Sequence, residues 1–398
     1  MWVQLTLLAG KVPRTSRVWL SLALGMLLVP LAAAFLKRAE PLGLDFHTYA
    51  AAARVGLQYG WSHIYDQELV ATAQTSLAPN QATQPFLSPP PVAWLAALLA
   101  GLPYAWAFGV WAIVTTFALA WAVAWSAPAS RGGLERWLAA ALVVAPAWVL
   151  VAARVGQVVP LVAVGVLVAW RLLREDRDLG AGVVLALLLL KPNTAFLVPL
   201  ALLAAGRRRT FVTWLIAASA VAVAVFATVG VAGLAAYVSQ LQNPPPGTNA
   251  LSLEAALGVS GLSALVFRLA IIGAVLVAAW RLRTSTGLVI VLGVIGSLLV
   301  SPYLHASDLT LFAVAGWIVW AERPMLTWRA PLAASWLIAS PFVSGPLRPT
   351  QARWPLLELT WLLVLVVVAW RLDRPFPASV DGSRLTNRSS EPQHLGRR

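Results

Sequence analysis

Helix-length apolar runs, separated by short loops that carry arginine, occupy almost the whole sequence. The first run extends from Val18 to Leu36. Hydrophobic residues make up 60% of the 398 residues and charged residues only 11%, whereas soluble domains are about one quarter charged. Because lipid offers the backbone no hydrogen-bond partners, runs of this length must cross it as α-helices. The sequence therefore predicts an all-α polytopic membrane protein with a bundle of about 12 spans.

Loop charge predicts which helix ends face the cytoplasm. Arginine-rich loops stay on the cytoplasmic side, and Lys11 and Arg14 before the first run place the amino terminus there. The apolar stretch 91–126 is too long for one span and short for two. Because the loops on its two sides are predicted to lie on opposite faces of the membrane, only one of its two segments can cross. The later spans are predicted at 135–154, 158–173, 179–191, 192–206, 211–237, 263–281, 286–303, 308–321, 330–344 and 354–371.

Three segments follow from this topology. Residues 1–372 form the membrane domain, and its first loop, 37–88, is extracytoplasmic and carries short surface helices. Residues 373–398 are rich in Pro, Ser and Arg and are predicted to be a disordered cytoplasmic tail. The net charge of +14 comes mainly from cytoplasmic loops and the tail. It indicates affinity for anionic lipid headgroups rather than for nucleic acid. The chain contains no cysteine, which excludes disulfides and thiolate chemistry.

Polar residues on the predicted outer face are the candidates for chemistry. Asp45, in the large first loop, could act as a general base or simply cap the helix that follows. Lys191 lies where two short helices must turn back, because basic loops flank 179–206 on both sides. Its ammonium could meet a lipid phosphate or reach an ordinary headgroup. Arg154 could likewise hold a phosphate or contact a headgroup. His305 could bind a phosphate or be an interfacial histidine that is hydrogen-bonded within the protein.

Weaker candidates for substrate contact neighbour these residues. They are His47, Tyr49, Gln157, Tyr303 and Asp308. His305 and Asp308 have the chemistry of metal ligands, but two side chains do not make a site, and no divalent metal or other cofactor is predicted.

Together these residues resemble the GT-C membrane glycosyltransferases, in particular glycosyltransferase family 87. The family's pattern of an outer-loop aspartate, a Pro-Pro span start, a Gly-Gln pair, a Lys-Pro junction and a late histidine is matched in order. The start of the span reads Ser88-Pro89-Pro90, where the family more often has Tyr-Pro-Pro. The matching positions are Asp45 with Tyr49, Ser88–Pro90, Gly156-Gln157, Lys191-Pro192, and Ser301-Pro302 followed by His305.

The resemblance implies an inverting transferase in the bacterial plasma membrane, with its active site facing outwards. It would move mannose from a polyprenyl-phosphate-mannose donor to a hydroxyl of a cell-envelope glycolipid or glycan. Asp45 would be the base, and Lys191, Arg154 and His305 would bind the donor phosphate. Three alternatives stay open: a donor carrying arabinofuranose or glucose, a transporter of lipid-linked sugars, and a non-catalytic assembly partner.

Overall fold

The computed structural model describes residues 42–127, 147–243, 251–323, 325–339 and 353–371, together with residues 136, 140 and 143. Within these residues the chain is helical and contains no strand, which confirms the predicted all-α class. The predicted opening span and the tail after residue 372 lie outside the described residues. So do parts of the spans predicted at 135–154 and 330–344.

The helices fall close to the apolar runs. They are α1 Leu44–Tyr59, α2 Gln67–Leu77, α3 Pro90–Ala97, α4 Tyr104–Ser126, α5 Ala147–Val155, α6 Val159–Arg174, α7 Asp178–Val184, α8 Leu197–Ala204, α9 Arg208–Gln242, α10 Leu253–Leu257, α11 Gly261–Arg281, α12 Thr286–Val300, α13 Thr310–Glu322, α14 Leu326–Ala339 and α15 Arg353–Arg371. Short 3-10 turns are Trp61–His63, Leu185–Leu190, Pro192–Thr194 and Ala306–Leu309.

Membrane-spanning capacity differs among the helices. In the described part of the chain four helices are long and apolar enough to cross a membrane, namely α4, α9, α11 and α15. Helix α3 has eight residues, about 12 Å, and is therefore too short to cross. Its length agrees with the prediction that one segment within 91–126 does not cross the membrane. The total of about 12 spans stays a prediction.

Helix α1 differs from the surface helix that the sequence predicts. Phe46, Tyr49 and Ala51 to Ala53 are buried in it, and it packs on α2 and α3. Four successive alanines, 50–53, allow this close approach of neighbouring helices. Tyr65 stacks on Tyr237 of α9, with ring centroids 4.7 Å apart, so the far end of α9 also covers this loop. Helix α1 of the first loop is thus enclosed by neighbouring helices.

Charged contacts collect at one end of the bundle, which we call the basic end. Arg171 at the end of α6 donates to the carbonyl of Trp125 at 2.8 Å. Glu322 at the end of α13 accepts from Trp170 at 2.9 Å and from Ser285 at 3.3 Å. The ends of α4, α6 and α13 and the start of α12 therefore meet there. Because α6 begins, α12 ends and α13 begins at the opposite end, these helices connect the two ends.

The segment 178–204 leaves the basic end and returns to it. Asp178, at the start of α7, accepts a hydrogen bond of 2.7 Å from Thr210, just after the start of α9. Its carboxylate also lies 3.8 Å from Arg207. The turning point of this excursion, residues 191–193, consequently lies at the end of the bundle opposite the basic end.

Glycine permits α8 and α12 to pack closely beside this turning point. A Cβ atom at Gly293 would lie 2.6 Å from Cα of Val198. One turn later, the hydroxyl of Ser297 accepts from the backbone N–H of Leu197 at 2.9 Å. Small residues four apart are the usual means by which helices approach closely in lipid. This contact holds the 191–196 segment against α12.

We expect Gly293→Ala to lower the stability of the protein by about 1–3 kcal/mol, because the new methyl group collides with backbone that cannot rotate away. Gly273→Ala in α11 is the matched control. It has open space around the position, and alanine is the better helix former by up to about 1 kcal/mol. Thermal unfolding in detergent measures both. Equal melting temperatures for the two variants would contradict the close α8–α12 contact.

Candidate active site

Asp45 lies in the first turn of α1 and is partly buried. Its Oδ2 accepts a hydrogen bond of 2.7 Å from Nε2 of Gln157. Oε1 of Gln157 in turn accepts a hydrogen bond of 2.5 Å from the hydroxyl of Tyr49, which lies one turn further along α1. Both ends of the Gln157 amide are thereby engaged. The carboxylate of Asp45 is held in one orientation by a side chain from the turn between α5 and α6.

Gly156 places Gln157 within reach of Asp45. The backbone at Gly156 has φ of 71°, which ends α5, and a Cβ there would lie 2.5 Å from Cβ of Phe46. Residues with side chains rarely adopt this conformation. The indole of Trp111 donates to the carbonyl of Gly156 at 2.8 Å and fixes the turn further. The Gly-Gln pair thus has a local structural reason: the glycine allows α1 to approach, and the glutamine then binds Asp45.

Lys191 separates the 3-10 turn that precedes it from the one that follows, with φ of −152° and ψ of 74°. Its Nζ lies 2.6 Å from Oδ1 of Asp308, and the two side chains are 7% and 0% exposed. A lysine at this depth requires an anionic partner. The sequence predicted a phosphate as that partner, and the structure places Asp308 in contact with it.

The loop between α12 and α13 carries Ser301, Tyr303, His305 and Asp308. Oδ2 of Asp308 accepts a hydrogen bond of 2.9 Å from the backbone N–H of His305, and this bond stabilises the loop. Asn193 donates to the hydroxyl of Ser301 at 3.1 Å and to the carbonyl of Tyr303 at 3.3 Å. The turn at 191–193 and the loop at 301–308 are therefore bonded to each other at several points.

These two segments also act electrostatically on Asp45. Burial raises the pKa of Asp45 above its ordinary value, and the charge of Asp308 adds to that effect. Lys191, the hydrogen bond from Gln157 and, in its protonated form, His305 oppose it. Asp45, Lys191, His305 and Asp308 thus form one electrostatic cluster, at the end of the bundle opposite the basic end.

Neutral groups complete this cluster. Burial lowers the pKa of His305 and the nearby ammonium of Lys191 lowers it further, against the opposite effect of Asp308 and Asp45, so the surroundings favour the neutral imidazole. Burial also raises the pKa values of Tyr49 and Tyr303, whose phenols keep their protons. These neutral groups adjoin the Lys191–Asp308 ion pair.

The remaining sequence-predicted residues take different places. Arg154 is 4% exposed, and its carbonyl accepts the N–H of Gly43 at 2.8 Å, so it adjoins the start of α1. His47 is fully buried, and its Nε2 lies 2.8 Å from the carbonyl oxygen of Gln74. This contact joins α1 to α2 and fits a structural role rather than a substrate contact.

Two residues were missed by the sequence reasoning. Asn193 was interpreted only as part of a turn. An amide next to a lysine at a helix break is nevertheless well placed to donate hydrogen bonds to a neighbouring loop. Glu358 is a single acid inside the apolar run of α15, and an ionisable residue in a span indicates function by default. Among the described residues, no group of three or more His, Cys, Asp or Glu side chains could hold a metal ion.

The arrangement can perform group transfer. A partly buried carboxylate can accept a proton from a hydroxyl, and a cation and a neutral histidine nearby can receive a leaving group that gains negative charge. No curated protein and no solved structure matched the chain. The family model of glycosyltransferase family 87 matches residues 86–302, more than half of the sequence. The chain therefore belongs to glycosyltransferase family 87.

Proposed function

We propose that the protein is an inverting mannosyltransferase that uses polyprenyl-phosphate-mannose on the outer face of the bacterial plasma membrane. Its acceptor is a hydroxyl of a cell-envelope glycolipid or glycan. The single observation that carries the proposal is the buried Lys191–Asp308 pair beside the carboxylate of Asp45 that Gln157 holds, at the end of the bundle opposite the basic end. Arginine-rich ends stay in the cytoplasm, so this end faces outwards.

Asp45 is the general base of the proposed reaction. It takes the proton of the acceptor hydroxyl while the acceptor oxygen bonds to C1 of the sugar. The bond between C1 and the phosphate oxygen breaks on the opposite face, and its electron pair leaves with the polyprenyl phosphate. Gln157 and Tyr49 keep the carboxylate aimed at the acceptor, which is the orientation that proton transfer needs.

Lys191 stabilises the leaving phosphate. An ammonium carries three donors, and Asp308 occupies one side of it, so Lys191 can hold Asp308 and reach a phosphate as well. His305, neutral and beside Tyr303, can donate a hydrogen bond to a phosphate oxygen. Arg154, near the start of α1, supplies a second cation. The donor's charge grows as its bond to the sugar breaks, so these groups bind the transition state more strongly than the ground state.

Asp45→Asn is expected to lower kcat by about 10²- to 10⁴-fold, because the amide cannot accept the proton. The KM for the donor should change little. Transfer from polyprenyl-phosphate-mannose to an envelope lipid extract, measured with purified protein in lipid nanodiscs, provides the test. Donors carrying arabinofuranose or glucose are compared in the same assay. Asp176→Asn, at an exposed residue of the basic end, is the control. Full turnover in Asp45→Asn would remove this residue from the mechanism.

The pH profile of kcat/KM should fall on its acid side at a pH above that typical of an aspartate, because the pKa of Asp45 is raised and the base works only when deprotonated. The hydrogen bond from Gln157 lowers that pKa, so Gln157→Leu should move the acid limb to still higher pH. Tyr49→Phe removes a bond to Gln157 rather than to Asp45 and should move it less. A limb that stays in place in Gln157→Leu would contradict Asp45 as the titrating base.

Lys191→Ala should weaken donor binding and also lower stability by about 3–5 kcal/mol, because it leaves Asp308 charged and unpaired in a buried site. The double variant Lys191→Ala with Asp308→Asn separates these effects. It removes the orphaned charge and should recover most of the stability, while the donor KM stays at least about tenfold above wild type. Thermal unfolding and donor titration are measured on the same samples. Recovery of donor affinity together with stability would show that Lys191 is purely structural.

A further inference from the structure

Helix α9 is bent at Gly230, and packing does not explain the bend. The backbone there has φ of 68° and ψ of 179°, a region that is essentially restricted to glycine. A Cβ atom at this position would meet no atom within 4 Å. Helices are most often kinked by proline, and α9 contains none. The glycine therefore sets the direction of the chain rather than making room for a neighbour.

The bend lies where α9 becomes long enough to leave the membrane. The helix has 35 residues. At 1.5 Å per residue it extends about 50 Å, which exceeds the hydrocarbon thickness of about 30 Å. Gly230 is about 33 Å along the helix from Arg208, which starts it near the basic end. The residues after the bend, 231–242, which we call the outer arm, therefore belong to the outer surface.

The outer arm lies on the first loop and contacts it at two points one turn apart. A Cβ atom at Gly233 would lie 2.8 Å from the carbonyl oxygen of Ser62, so the two backbones meet closely. The ring of Tyr237, which is half-buried, stacks on Tyr65 with centroids 4.7 Å apart and planes 28° apart. The bend is what turns Tyr237 onto this loop.

A continuous line of contacts leads from this point to the candidate base. Tyr65 also stacks on Phe86, with centroids 5.3 Å apart. Phe86 in turn meets the edge of the Tyr49 ring at 6.4 Å. The hydroxyl of Tyr49 donates to Gln157, and Gln157 donates to the carboxylate of Asp45. Each member of the line thus touches the next.

The line consists of side chains that have little freedom. Phe86 and Tyr65 are 0% and 2% exposed, and the hydroxyl of Tyr65 is fixed by a bond of 2.7 Å to the carbonyl of Ser88. Close-packed rings transmit a displacement because no space exists to absorb it. A shift of about 1 Å in a catalytic group can cost on the order of 10²-fold in rate. The seating of the first ring therefore matters for the position of the last.

The next step rests on the proposed function, in which Asp45 is the base. We propose that Tyr237 is a positioning residue, which through the stacked rings of the first loop keeps the carboxylate of Asp45 aimed at the acceptor. It touches no substrate, and no bond is made or broken in this role. The outer arm of α9 completes the active site only while it lies on the first loop.

Tyr237→Leu should lower kcat by about 5- to 50-fold, because leucine offers Tyr65 no flat face and the line loosens. The donor KM should stay within about threefold of wild type, because the phosphate contacts are untouched. Tyr237→Phe retains the ring and should keep kcat within about twofold. Tyr59→Leu, the same substitution at a residue that is 58% exposed, is the control and should change neither quantity. An unchanged kcat in Tyr237→Leu, or an equal loss in Tyr237→Phe, would overturn the proposal.

The titration of Asp45 is a readout that a purely structural role would not move. Dicyclohexylcarbodiimide labels protonated carboxyls, so peptide mass spectrometry across pH gives the midpoint for Asp45. The hydrogen bond from Gln157 lowers the pKa of Asp45. A looser bond in Tyr237→Leu should therefore extend labelling to higher pH, by no more than Gln157→Leu does. The titratable groups that face Asp45 all lie outside α9; they are Lys191, His305, Asp308, Tyr49 and Tyr303.

A double-mutant cycle tests the route of the effect. In the Gln157→Leu background the bond to Asp45 is already absent, so Tyr237→Leu should add no further shift of the labelling midpoint. An equal shift in both backgrounds would overturn the proposal, because Tyr237 would then act on Asp45 by another path. Tyr59→Leu should leave the midpoint in place in both backgrounds.

Gly230→Ala disfavours the bend without crowding any neighbour. The chain contains no cysteine, so spin labels attach only where one is introduced. Glu68→Cys in α2 and Ser239→Cys in the outer arm are both at exposed residues. The distance between these labels should lengthen in Gly230→Ala, and the labelling midpoint of Asp45 should rise as in Tyr237→Leu. A displaced arm with an unchanged midpoint would overturn the proposal.

Carbodiimide labelling also separates this inference from the proposed function, because it needs no turnover. If wild type transfers no sugar from any donor tested, the proposed function fails, whereas a raised midpoint in Tyr237→Leu would still support the positioning role. Transfer by wild type, with both kcat and the labelling midpoint unchanged in Tyr237→Leu, would overturn the inference and leave the proposed function standing.

Discussion

The contact between Lys191 and Asp308 is the interaction on which the rest of the site depends. It joins two segments that are far apart in sequence, and both partners are almost completely buried. Removing either partner from such a pair leaves a charge without compensation, which costs far more than the pair itself contributes. The pair therefore contributes little net stability, but it fixes the loop at 301–308 against the turn at 191–193. His305 belongs to that loop, and the charges of both partners act on Asp45.

A helix can be broken at this depth only if the freed backbone groups find partners. Here the sequence around the break supplies them. The N–H of Lys191 bonds the carbonyl of Leu188 at 3.2 Å, and the hydroxyl of Thr194 returns to the carbonyl of Lys191 at 2.8 Å. Pro192 has no N–H to satisfy. The segment 191–194 therefore forms a stable interruption, and Asn193 uses its side chain to bind the opposite loop.

Features that local sequence determines were predictable, whereas features that depend on the packing of distant helices were not. Apolar length located α6 and α12 to within a few residues, and the basic loops on both sides of 179–206 required the turn at Lys191. The partner of Lys191 was not predictable, because Asp308 meets it only after α8 and α12 pack through Gly293. Helix α1 was predicted to be a surface helix, yet its alanines allow neighbouring helices to enclose it. Glu358 was overlooked because one acid barely changes the hydropathy of a long apolar run.

The charges of the cluster suit a reaction that moves one negative charge. In the resting site Lys191 contacts Asp308 and acts electrostatically on Asp45. Under the proposed reaction Asp45 becomes neutral as it takes the proton, and the phosphate gains the charge that Asp45 loses. Burial raises the pKa of Asp45 and so favours its final, protonated form, while Lys191 stabilises the phosphate at the other end. The total charge that the protein must accommodate stays constant, so the same low-dielectric surroundings that make Asp45 a stronger base do not oppose the departure of the phosphate.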